Sequence, residues 1–182
     1  VTLMAAVMVS LVGAIGFGGL FAVYSYLTSA MIATTDAPDW AIPLALCVFG
    51  IGGTLGTWAM GHLTGRLGQI RAAYVSLAAM ALTQAFAAFA VGNWQMMVLS
   101  SFLIAAGAGL TIPLQTRLMD VAGRAQNMAA AMNHAAFNAA NALGPFLAGL
   151  ALSAGFGWRA PGIVGIVLTV AGAAILVLAV RQ

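Results

Sequence analysis

The sequence predicts an all-α integral membrane protein of six transmembrane helices, and three observations carry that prediction. Of the 182 residues, 63% are hydrophobic and only 5% charged, where a soluble domain carries about 25% charged residues. The mean hydropathy of +1.07 leaves too little polar surface to face water. The apolar residues gather into six runs, each matching the roughly 20 residues a helix needs to cross the hydrocarbon core, and charge is confined to the junctions. Open strands would leave backbone groups unpaired in lipid, so the runs are helices. The pI of 9.8 rests on a net charge of +3 without a lysine or a basic run, which does not describe a nucleic-acid binder. The single cysteine, Cys47, forms no internal disulfide. With His62, His134 and three scattered aspartates it shows no metal-ligand spacing, and no cofactor is expected.

The runs follow in order. The first, 3–32, lacks a basic n-region and is about twice the length of a signal-peptide core, so it is a span. Phe17, Phe21, Tyr24 and Thr28 fall on one of its stripes by helical spacing, as packing or as cavity lining. After "TTDAPDW", the second run, 41–64, carries Gly52 and Gly56 at the spacing that brings membrane helices into close contact. The third, 72–91, holds only Ser76, Thr83 and Gln84 beside Tyr74 at its end, and reads as lipid-facing. The fourth, 95–118, places Ser101, Thr111 and Gln115 roughly on one face beside a kink at Pro113. Arg117 and Asp120, three apart at its end, read as a structural pair.

The fifth run, 127–154, carries the strongest polar signal. Asn127, His134, Asn138 and Asn141 lie at i, i+7, i+11 and i+14, just before Pro145, whose ring frees the carbonyl of residue 141 from its helical bond. Three readings stay open for this stripe: hydrogen bonding between helices, lining of a water-filled cavity, and proton coupling through His134. The sixth run, 161–180, has one threonine as its only polar side chain and reads as lipid-facing. Connections such as "GNW" and "GFGWRAP" are too short for a second domain, so residues 1–182 form one six-helix membrane domain.

Orientation follows from the arginines. With the N-terminus on the cytoplasmic side, Arg66, Arg71, Arg117, Arg124 and Arg181 fall inside and only Arg159 outside, while Asp36 and Asp39 sit in the first outer loop. That is a positive-inside pattern. Trp40, Trp94 and Trp158 then lie at outer helix ends, where indole rings favour the interface.

The inner stretch "GHLTGRLGQIR" (61–71) carries Gly61, Gly65 and Gly68, read as the punctuation of a tight turn. It resembles the loop motif of the major facilitator superfamily: Gly61, Arg66, Gly68 and Arg71 match, Gly65 replaces the aspartate, and Gln69 and Ile70 replace basic residues. "GFGGLFAVYSYLTSAM" (16–31) resembles the first helix of the C-terminal half in the drug:proton antiporter branch, especially its sugar-efflux, arabinose efflux permease-like members, with Ser29 where those usually carry proline. "MNHAAFNAANALGPFLAGL" (132–150) resembles the penultimate helix of that branch. Its Gly144-Pro145 and Ala148-Gly149 echo the Gly-Pro-x-x-Gly-Gly antiporter motif.

The resemblance implies the C-terminal six-helix half of a twelve-helix exporter, built as a 3+3 inverted repeat. It implies helices one, two, four and five along the cavity or the seam between halves, with the third and sixth peripheral. Phe21, Tyr24, Thr28, Gln115, His134, Asn138 and Asn141 are the candidate cavity residues. The expected partners are the lipid bilayer of a bacterial inner membrane, a small-molecule substrate, protons, and the absent N-terminal half or a second copy. No carboxylate is embedded in a span, so a proton-carrying carboxylate is expected in the absent half. His134-x-x-x-Asn138 resembles a rhomboid protease helix motif. No Gly-x-Ser-Gly exists, and the only other histidine comes earlier, so nucleophile and base are not both available. The competing reading is a half-length membrane protein with an assembly role and no transport of its own.

The orientation is checked by cysteine-accessibility mapping in a Cys47-free background. Positions 33–40 and 155–160 are expected to label from the outer face, and outer labelling at position 68 would overturn the topology.

Overall fold

The computed structural model describes residues 2–181, and every regular element among them is helical. Six helices have the length and composition to cross a membrane: α1 Met4–Thr34, α2 Ala41–Leu67, α3 Gln69–Ala90, α4 Trp94–Ala122, α5 Gln126–Ser153 and α6 Ala160–Val180. The turn between α2 and α3 is tighter than its three glycines suggest. Gly61 and Gly65 lie inside α2, and only Gly68, at φ 79°, leaves the helical region. Its N–H closes α2 on the Thr64 carbonyl at 3.0 Å. The helix runs through Gly61 and Gly65 because glycine is tolerated in membrane spans.

Two spans are irregular, and they are the two most enclosed, α1 and α4. α1 widens into a π turn over Val12–Gly16. α4 tightens into a 3₁₀ turn over Gly107–Leu110, so its irregularity sits before Pro113 and not at it. The proline ring crowds the carbonyl four residues back and supplies no N–H, which displaces the strain onto that turn. α5, in contrast, runs unbroken through Pro145.

The pairings of the helices carry the 3+3 symmetry. α1 packs on α5 and α6, α4 packs on α2 and α3, and α3 lies against α6. Advancing each number by three converts the first set into the second. An odd offset reverses the direction of a span, so the repeat is inverted. The close approaches repeat in the same way. A β-carbon on Gly144 of α5 would fall on the Gly18 carbonyl of α1, and one on Gly56 of α2 on the Ala106 carbonyl of α4. Gly52 similarly meets Phe102 of α4. Hydroxyl-to-carbonyl bonds cross the same two seams: Tyr26 donates to Pro145 at 3.1 Å, and Ser101 to Ala45 at 2.6 Å.

The interior divides into a long apolar cluster through α1, α3 and α4 and a smaller one at one end. Trp94 and Trp158 pack on the smaller cluster, and Trp40 meets Trp94 edge-on at 5.3 Å. All three tryptophans therefore gather at one end of the bundle. The polar residues of the third and sixth spans correct the reading of those helices as lipid-facing throughout. Ser76, Gln84 and Thr169 are buried, because α3 and α6 turn them toward each other and toward α1. The outward faces carry Leu82, Phe89, Ile163 and Val167, side chains that suit lipid.

Gly144→Ala is expected to cost about 1–3 kcal/mol through the forced shift of α5 from α1. Gly61→Ala, in open space, should stay within about 0.5 kcal/mol. Thermal unfolding of the two variants in mild detergent checks the contrast.

Candidate functional site

The α5 stripe faces outward. Asn127, His134, Asn138 and Asn141 are all exposed, while Asn133, one residue before His134, points into the bundle. Among the described residues, the side-chain hydrogen bonds that join one span to another belong to Tyr26, Gln69, Ser101, Gln126 and Thr169. None engages the stripe, so bonding to neighbouring helices of the same chain does not account for it.

The α1 stripe splits along its length. Phe17 is buried, edge-on to Phe137 of α5 at 4.7 Å and to Phe21 at 5.5 Å. Tyr24 is exposed and stacks on Phe49 of α2 at 4.1 Å, and Thr28 is half-buried. The stripe thus ties α1 to α5 at one level and to α2 at another. Sequence reasoning missed Phe49 and Phe137. Phe49 lies in an apolar run without a polar neighbour, and Phe137 sits one residue off the asparagine stripe.

On α4 the expected trio does not act together. Ser101 is buried in the α2 seam, Thr111 donates to its own helix at Ala108, and only Gln115 is exposed. Tyr26 was also missed, and it explains the glycine-proline pattern of α5. Its hydroxyl bonds the carbonyl of Pro145 itself, and Gly149 leaves room for it, since a β-carbon there would lie 2.5 Å from the hydroxyl.

Gly61, Arg66, Gly68 and Arg71 of the loop motif are all exposed. Gln69 donates to the Asp120 carboxylate at the end of α4, which fastens the α2–α3 turn to the α4–α5 turn. Asp120 is therefore engaged by an amide, where the sequence suggested a pair with Arg117. His62 holds its Nδ1 3.1 Å from the Trp58 carbonyl, with the two rings 4.6 Å apart.

A six-span inverted repeat with this seam pattern is one half of a known transporter architecture, and the comparison with protein families decides which. The sequence profile of the Major Facilitator Superfamily matches residues 4–182. The chain belongs to that superfamily. It is 29% identical over 162 residues to the inner membrane transport protein YdhP of Escherichia coli O157:H7, covering 89% of this chain and 41% of that protein. The K12 strain's YdhP matches to the same extent. A candidate transporter of Escherichia coli K12, AraJ, is 28% identical over 145 residues, 79% of this chain and 37% of AraJ. The chain spans about two fifths of the length of these curated relatives.

Tyr26→Phe is expected to weaken the α1–α5 seam by about 0.6–1.7 kcal/mol, the range of interhelical hydrogen bonds in membranes. The check is a lowered unfolding midpoint in detergent, with helix content unchanged.

Proposed function

We propose that the chain is the C-terminal half of a secondary active transporter of the drug:proton antiporter branch, exporting a small molecule across a bacterial inner membrane. The observation that carries the reading is the α5 stripe. Three asparagines and a histidine stand exposed on a membrane-spanning helix with no side-chain hydrogen-bond partner among the described residues. Lipid does not solvate such groups, so a water-filled cavity or an opposing protein surface must. The names of the relatives, inner membrane transport proteins and a candidate transporter, agree with transport. The sequence resemblances of residues 16–31 and 132–150 support the C-terminal half and the efflux branch.

In this reading Phe21, Tyr24, Thr28, Gln115, His134, Asn138 and Asn141 line the route, with Phe49 and Phe137 bracketing the aromatic stripe. Both termini are cytoplasmic, and the arginines near the α2–α3 and α4–α5 turns mark that side. The faces of α2 and α5 meet the other half, or a second copy about an axis normal to the membrane. Alternating access then comes from rocking of the two bundles around the site. The one carboxylate within the described spans, Asp120, sits in the last turn of α4 and is engaged by Gln69, so the coupling proton travels through the other half or through His134.

The test is proton-gradient-driven uptake of radiolabelled arabinose and of ethidium into everted vesicles holding the complete transporter, normalised to folded protein. Asn138→Leu and Asn141→Leu are expected to lower the rate about tenfold, or about 1.4 kcal/mol of barrier, with membrane expression retained. Wild-type rates in both variants would reduce the stripe to packing and overturn the reading.

A further inference from the structure

Gln84 of α3 and Thr169 of α6 form a buried polar pair that the proposed transport face does not use. Each is 1% exposed. Thr169 Oγ1 lies 2.9 Å from the Gln84 side-chain oxygen and 3.3 Å from the carbonyl oxygen of Gly16. Gly16 is the last residue of the π turn of α1, so its carbonyl stands where the turn gives way to regular helix. Leu20 N–H bonds at 3.1 Å to the Phe17 carbonyl, three residues back, so the Gly16 oxygen turns sideways to Thr169. Nε2 of Gln84 has no partner.

A hydroxyl carries one proton. Thr169 therefore serves both neighbours only when Gln84 presents its amide N–H to the hydroxyl oxygen. The chain of donors then runs from Gln84 through Thr169 to Gly16, with one of the two amide N–H groups of Gln84 engaged. The amide carbonyl left over is the group more readily tolerated without a partner. Glycines make the approach feasible: a β-carbon on Gly19 would lie 2.6 Å from both the Gly165 carbonyl oxygen and Thr169 Oγ1.

The capped carbonyl matters because a π turn inserts one residue into a helix. At 3.6 residues per turn, one inserted residue rotates everything beyond it by about 100°. Phe17, Phe21, Tyr24 and Thr28 all lie beyond it. The register that stacks Tyr24 on Phe49 and sets Phe17 against Phe137 exists only while the turn persists. We propose that Gln84 and Thr169 are positioning residues for the α1 face: their hydrogen-bond chain caps the Gly16 carbonyl and so holds the π turn that aims the aromatic stripe. The inference rests on the reading of that stripe as part of the transport route.

The test needs no substrate. Positions 21–28 are scanned with cysteine in a Cys47→Ala background of the complete protein in membrane vesicles and labelled with a membrane-impermeant maleimide. Amide exchange over residues 12–20 is measured in parallel. Both are done with Thr169, Thr169→Val and Thr169→Ser. With threonine, position 24 labels and the buried position 23 does not. Thr169→Val is expected to raise exchange over residues 12–20 about five- to tenfold, as loss of one hydrogen bond does, and to shift the labelling pattern by one residue. Thr169→Ser should restore both. Wild-type exchange in Thr169→Val overturns the proposal whatever the labelling, and raised exchange with unmoved labelling overturns the positioning role. Failure of the transport reading shows elsewhere, as wild-type arabinose and ethidium uptake in Asn138→Leu and Asn141→Leu.

Discussion

Backbone-to-backbone contact at two glycine crossings sets the architecture. Lipid tails are as apolar as leucine, so burial of apolar surface does not drive membrane helices together. Close van der Waals approach and interhelical hydrogen bonds do. Gly144 against Gly18 brings α5 onto α1, and Gly56 against Ala106 brings α2 onto α4. Because the two crossings are related by the internal repeat, each three-helix unit supplies one half of the other's seam. Tyr26 and Ser101 then find carbonyls across seams that are already close.

The polar residues sort into two populations once this frame exists. Ser101, Tyr26, Gln84 and Thr169 are consumed inside the bundle by named partners. The stripe of Asn127, His134, Asn138 and Asn141 is left outside without any. A hydroxyl or amide in a seam answers to geometry within the chain. One that has no such partner answers to whatever the chain faces, and the functional reading depends on that difference.

How much of this was legible follows from what periodicity can report. The six spans were readable because an apolar run of that length has one physical outcome. The common face of the α5 stripe was readable from its spacing. Which way the face points was not: Asn133 and His134 are adjacent, yet one looks in and the other out. α3 and α6 face lipid on one side as expected, but which way their few polar residues point was not readable. Gln84 finds Thr169 across a separation of 85 residues, and no local pattern announces such a pair. Gly61 and Gly65 misled because glycine reads as a breaker in water but is at home in a membrane helix. Only Gly68, with its positive φ, was a true turn residue.

The swapped pairing of the two repeats also orders the assembly of the molecule. Of these six spans α1 emerges before the others, but its glycine seam belongs to α5 and its lateral support to α6, which follow the other four. α2 likewise waits for α4. Neither triplet can close on its own, so a nascent chain holds Gly18, Tyr26 and the Gly16 carbonyl without their partners until the later spans arrive. Contacts of such long sequence separation are slow to form, and the interval exposes incomplete surfaces. The symmetry that locks the finished bundle is therefore also what leaves its first helix in need of shelter during synthesis.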